Sequence, residues 1–516
     1  MTETDTDTPD GSAPPLPPGL VKRSPLAWLA IFGPGAIIAS VTIGTGELIF
    51  SSRGGALFGY DILFLFVFIS LLKWALVLGT ARHMVLTGVH PFQRMVSLPG
   101  PRGWLVLLIF MILAVCLPIW VFFHSTVLGN LTTWVTGTGG YLHGCTDYVW
   151  GATILTGVLI LTATGGYSRL ERIQIVIVAG LIISSGISLI IYKPDWLALL
   201  TGAVVPKPLA YPDWLATTHP EIAAQSVWRE ATLYVGVIAG SAFDYLAYTS
   251  WLRDKRWGHA GGTPASDEEL QAIAADPQHV VRRWVRAPYI DCTISFILII
   301  GFSAVFVAAG TIILGPNQKI PDEANLLNLQ SEFVTKLHPW LLPLYVVGAF
   351  LTMLGTLYGT FEIATATFRE LVYSTRSEPP KEENPKLKRY SIIWCATGAY
   401  LVIAWMFQHQ YFGGESQKGL LLQILTPANL FTGVFACGLV CLLTPWMDRR
   451  FLPKPLHTPW WLLGLNIVSG VVFLFLGLMG YWKNESRNLA VGGILGLLVV
   501  SLVVAAMLER RQESKI

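Results

Sequence analysis

Charge is what this sequence has least of. Asp, Glu, Lys and Arg make up 13% of its 516 residues, against roughly 25% in a soluble domain. Hydrophobic residues make up 53% and the mean hydropathy is +0.55, which excludes an ordinary soluble globular fold. Cysteine offers no framework. Cys116, Cys292, Cys395, Cys437 and Cys441 lie in apolar runs and Cys145 is alone in a loop, so neither a disulfide scaffold nor a CxxC metal site is readable. No GxxxxGK[ST] loop is present, which excludes ATP-driven work within the chain. HExxH and GxSxG patterns are also missing, leaving a membrane enzyme or a non-transporting sensor without supporting residues. Residues 1–20 lack the basic start and apolar core of a signal peptide. They are acidic and rich in Ser, Thr and Pro, so 1–24 is expected to be a disordered cytoplasmic tail.

What is abundant is apolar length. Runs such as 55–79, 105–123 and 489–507 can cross a hydrocarbon core of roughly 30 Å. We expect twelve spans, at 28–50, 57–82, 103–127, 149–166, 171–192, 231–251, 287–314, 340–372, 390–408, 420–446, 459–481 and 488–508. A charge census supports this all-α integral membrane reading. Of 35 Lys and Arg, the nine at 53, 193, 207, 229, 319, 336, 418, 483 and 487 fall on one side. With Lys73 inside span 2, 25 remain for the other side. The positive-inside rule then puts both termini in the cytoplasm of a multi-pass protein of the cell (inner) membrane. In the longest cytoplasmic loop, 253–286, Ser266 and Glu269 form a capping-box pattern that predicts a short helix.

Two spans carry glycine followed by an acid. Span 1 reads Gly44-Thr45-Gly46-Glu47 and span 6 reads Gly240-Ser241-Ala242-Phe243-Asp244. A carboxylate at bilayer depth costs roughly 2.5–3.5 kcal/mol on insertion scales and marks a functional site by default. If spans 1–5 and 6–10 are two halves, span 1 points outward and span 6 inward. That is an inverted 5+5 repeat, 28–192 and 231–446, inside a transporter core of 25–451. Two extra helices and a short tail occupy 452–516. Discontinuous helices 1 and 6 would then expose carbonyls and helix ends at the midplane. The plainer alternatives are glycines that serve close packing and acids that pair with Lys73 to lock two helices.

Other polar residues join the candidate list. Glu362 lies in the small, polar stretch Gly355-Thr356-Leu357-Tyr358-Gly359-Thr360-Phe361 of span 8. Asp291, near the cytoplasmic end of span 7, is expected to pair with Arg286 or Arg283. Glu171 starts span 5 beside Arg172 as an interface or gate charge. Lys73, Glu171 and Asp291 are thus candidates for coupling or helix locking. Pro427 opens span 10 between Gln423 and Asn429. His83, His90 and His124 are read as interfacial histidines at span ends.

These motifs together resemble the Nramp divalent-metal transporters. Gly33-Pro34-Gly35 followed by Gly44-Thr45-Gly46-Glu47 is similar to that family's opening. Gly79-Thr80-Ala81-Arg82, Thr87-Gly88 and Ser250-Trp251-Leu252-Arg253-Asp254-Lys255 continue the resemblance across spans 1–10. It implies the leucine-transporter fold and alternating access, and gives Gln423 and Asn429 places near the site. The departures are specific. The family's Asp-Pro-Gly-Asn is replaced at 44–47, where Gly44 stands for the Asp and Glu47 for the Asn. Its span-6 Met-Pro-His has no counterpart at 240–245. Without the thioether, the donors are oxygens: Glu47, Asp244, Thr45 and Ser241, with backbone carbonyls. Such a set suits a hard cation, Mg²⁺ or Mn²⁺, rather than a soft transition metal.

The expected function is therefore secondary transport of a divalent cation, driven by protons or by the membrane potential. No resident cofactor and no nucleic-acid partner are expected; the cation and the lipid bilayer are the partners. A small organic solute such as an amino acid, carried by the same fold, is the alternative.

Overall fold

The computed structural model describes residues 14–21, 24–164, 180, 183, 186–187 and 189–513, except 323–324, 337, 376–383, 414–419 and 485–486. The described residues are helical with no strand. Span 1 comprises α1 (Pro34–Thr42), a π-helical stretch (Ile43–Ser51) and α2 (Ser52–Phe58). Then come α3 (Ile62–Thr87), α4 (Trp104–Thr136) and α5 (Thr146–Thr164). Span 6 is α6 (Val227–Val237) and α7 (Ala242–Asp254). The remaining spans are α8 (Arg286–Ala309), α9 (Leu342–Ser374), α10 (Pro385–Gly413), α11 (Leu420–Asn429) leading through a π turn into α12 (Ala436–Phe451), α13 (Trp460–Lys483) and α14 (Arg487–Glu513).

Nine stretches among the described residues are long and apolar enough to cross a membrane. They cover ten of the twelve expected spans, because the stretch Gly46–Thr87 holds the back of span 1 and all of span 2. Span 6 is too deeply broken to count, and most of span 5, with Glu171, lies outside the described residues.

Burial explains the arrangement. α3 is apolar all round, and from Leu72 nearly every residue to Thr87 is buried, as expected of a central helix. It is wrapped by α6, α7, α8, α12 and α13. The last helix, α14, leaves Leu489, Leu495, Val499 and Met507 exposed, which suits a lipid-facing position. The loop helix forms at Asp267–Ala275, and both capping-box bonds between Ser266 and Glu269 are made. The expected disordered tail is corrected in part: Pro18–Val21 is a helical turn with Gly19 and Leu20 buried, and Trp284 Nε1 donates to the Pro14 carbonyl at 2.8 Å.

The two glycine segments differ. Span 6 is interrupted: α6 ends at Val237, Ala239 and Gly240 take φ of 62° and 90°, and α7 begins at Ala242. Span 1 is not interrupted, contrary to expectation. Its backbone widens into a π-helix and continues. Gly44 and Gly46 are there for contact: a Cβ on Gly44 would strike Thr356 Oγ1, and one on Gly46 would strike the Val237 carbonyl. Both contacts are those of close packing.

Candidate functional site

Everything at the site is organised by the break in span 6. Helical hydrogen bonding stops there, so the freed backbone groups must find partners inside the protein. Glu47 accepts from the Ala239 amide at 3.0 Å. Tyr245 donates its hydroxyl to the Ala239 carbonyl. Asp244 accepts from the Ser241 amide at 2.6 Å and the Ser241 hydroxyl at 2.9 Å, a capping box that starts α7. Asn429, fully buried, donates to the Leu233 carbonyl at 3.1 Å and packs against Gly236.

Lys73 completes the set in an unexpected way. Neither Glu47 nor Asp244 forms an ion pair with it within 4.0 Å among the described residues. Its ammonium instead donates to carbonyls of the break: Val235 at 2.9 Å, Gly236 at 3.2 Å, Ile238 at 2.7 Å and Gly240 at 2.5 Å. The sequence-based expectation of an acid partner is thus replaced by backbone partners, because unwound carbonyls concentrate partial negative charge at that spot.

Beside the break lies a cavity of about 60 Å³, room for more than one water. Thr42 and Gly46 of span 1, Trp120 and His124 of α4, Gly240, Ser241, Phe243 and Asp244 of span 6, Thr356 and Thr360 of α9, and Thr432 beyond α11 all line it. Glu47 is fully buried, and its Oε2 has no hydrogen-bond partner. Among the described residues it is the one carboxylate oxygen at the break without a hydrogen-bond partner; Glu47 itself lies behind Gly46 and does not line the cavity.

Several expected residues fall elsewhere. Glu362 accepts from Tyr358 at 2.8 Å and from Lys388 at 3.4 Å, so it tethers α9 to α10 and stays outside the cavity. Gln423 is exposed. Asp291 meets neither Arg286 nor Arg283. It receives the amides of Gly33 and Gly35 at 2.9 and 2.8 Å and the Tyr248 hydroxyl at 2.9 Å, locking the start of α1. The Thr45 side chain and Glu171 are outside the described residues. The histidines are not interfacial. His83 pairs with Asp448 at 3.0 Å, His90 meets the Leu246 carbonyl at 3.0 Å, and His124 meets Thr360 at 3.1 Å in the cavity wall.

His124 and Trp120 were legible as site residues only through spacing. Leu117, Trp120 and His124 make a three- and four-residue stripe on α4, and Thr356, Thr360 and Ile363 make another on α9. Among the described residues no three His, Cys, Asp or Glu side chains cluster as a ready metal site.

Comparison with known proteins fits this geometry. The family described as "Natural resistance-associated macrophage protein-like" (Nramp) matches residues 35–482. A manganese transporter of Eremococcus coleocola, solved with an aromatic bis-isothiourea compound, has a similar structure: TM-score 0.68 at 14% identity, covering 98% of this chain and 99% of that one. A histidine-to-alanine mutant of that transporter aligns at TM-score 0.64, also at 14% identity and with the same coverage. MhsT in complex with L-phenylalanine aligns at TM-score 0.52 and 16% identity, covering 87% of this chain and 98% of that one. No curated protein sequence matches the chain.

Proposed function

The chain belongs to the Nramp family, and on that premise we propose that it is a secondary transporter moving a divalent cation by alternating access. The observation that carries this reading is Glu47: a fully buried carboxylate with one unpartnered oxygen at the broken helix. Asp244 and the Ser241 hydroxyl supply further oxygens, and the cavity beside them has room for water the ion retains. This all-oxygen set favours Mg²⁺ or Mn²⁺ over softer metals. Coupling to a proton would pass through Glu47 or Asp244.

The charge asymmetry supports cytoplasmic termini. The buried pair Arg53–Glu230, at 2.5 Å, then closes the outer end of the bundle. Arg253–Glu370, at 2.5 Å, and Arg82–Asp448, at 3.0 Å, close the inner end.

A second reading keeps the fold and changes the cargo. Leu117, Trp120 and Phe243 give the cavity apolar walls, which suit a small organic solute. A thermal-shift panel on the purified protein separates the two, because a ligand that binds only the folded state raises its apparent stability. Mg²⁺ or Mn²⁺ is expected to raise Tm in the wild type and to require at least about tenfold more ion in Glu47→Gln, a loss of about 1.4 kcal/mol. Stabilisation by amino acids with none by metals would transfer the assignment to the organic solute.

A further inference from the structure

The Lys73 ammonium sits in an arrangement that exceeds what a lysine needs. It carries three N–H donors, yet four carbonyl oxygens lie within 3.2 Å of it. An arrangement with more acceptors than donors is a cage for a spherical charge rather than a set of matched hydrogen bonds. Its oxygens come from the last turn of α6 and the unwound residues that follow it, and they gather at the negative end of that helix. Carbonyls of this kind replace the hydration shell of a bare cation. The side chain is fully buried, and Glu47 and Asp244 are its electrostatic neighbours.

We propose that Lys73 is a tethered cation: its ammonium fills, from within the chain, a monovalent-ion site formed by the carbonyls of Val235, Gly236, Ile238 and Gly240. The break in span 6 is therefore held shut by a covalently attached charge, and the folded protein needs no free Na⁺ or K⁺ there. Removing the charge turns the cage into a vacant alkali-ion site. This inference is independent of the cargo, so loss or retention of metal binding in Glu47→Gln leaves it untouched.

Thermal unfolding of the full-length protein in NaCl, KCl, LiCl and choline chloride at equal ionic strength tests it. Choline is too large for the cage. The wild type is expected to unfold at one Tm in all four salts. Lys73→Met, which keeps the apolar stem as far as Cε and removes the ammonium, is expected to unfold lower in choline. Its Tm should then climb with the logarithm of the concentration of the alkali ion that fits. A wild-type Tm that rises when Na⁺, K⁺ or Li⁺ replaces choline would overturn the proposal, and that arm stands even if Lys73→Met does not fold. A Lys73→Met protein as stable as wild type in choline, or one equally weakened in every salt, would also overturn it.

Discussion

Glu47 and Asp244 are both acids at the broken helix, but they hold different amounts of free valence. Asp244 spends its two oxygens on Ser241; Glu47 spends one on Ala239 and keeps the other. Asp244→Asn removes a charge while retaining an acceptor for the cap. It is expected to keep its fold, within about 1 kcal/mol for a weakened cap, and to bind Mn²⁺ more weakly than wild type but better than Glu47→Gln. Titration calorimetry with Mn²⁺ checks that order. Glu47 was legible in the sequence because an acid in an apolar span has few structural excuses. Glu362 was equally visible and is a tether to Lys388 instead. The difference is rotational: Thr356, Thr360 and Ile363 share the cavity-facing stripe of α9, and residue 362 is about 200° round from residue 360. A sequence shows that a stripe exists without showing which neighbour it meets. Lys73 likewise announced itself as buried charge, but its partners are carbonyls, which carry no signature in residue identity.

At the scale of the element, two similar glycine motifs give two backbones. In span 6, Ala239 and Gly240 both have positive φ, and the strain is held by Glu47, Lys73 and Tyr245 bonding to that same segment. In span 1 no such cage exists, and Gly44 and Gly46 stay wound while admitting Thr356 and the Val237 carbonyl. Tertiary partners, absent from any local pattern, decide which helix breaks. Gly240→Ala is a direct probe. Its Cβ would lie 2.9 Å from Asp244 Oδ2 and 3.2 Å from Thr42 Oγ1, on a backbone at φ 90°. We expect a loss of about 1–3 kcal/mol, read as a lower Tm, together with weaker Mn²⁺ binding, because the strained segment is part of the proposed site. A variant as stable as wild type would mean that the break relaxes elsewhere.

For the whole molecule, topology was the most legible level. Span length follows from what hydrocarbon tolerates, and ten of the twelve expected spans coincide with long apolar helices among the described residues. The long-range pairs were not legible. Arg53–Glu230 spans 177 positions in sequence, and Asp291 reaches back 258 to Gly33. The cavity likewise draws on five separated stretches of the chain, so it exists only in the assembled bundle. Division of the core into repeats at 28–192 and 231–446 remains our proposal, and alternating access about the break is the motion it implies.

The central claim is that cation passage depends on the free oxygen of Glu47. Mn²⁺ uptake into proteoliposomes, with wild type, Glu47→Gln and Glu362→Gln side by side, tests it most directly. Wild type and Glu362→Gln are expected to take up Mn²⁺ at equal rates, since Glu362 is held by Tyr358 and Lys388 away from the break, while Glu47→Gln falls at least about tenfold. Uptake by Glu47→Gln at the wild-type rate would contradict the account.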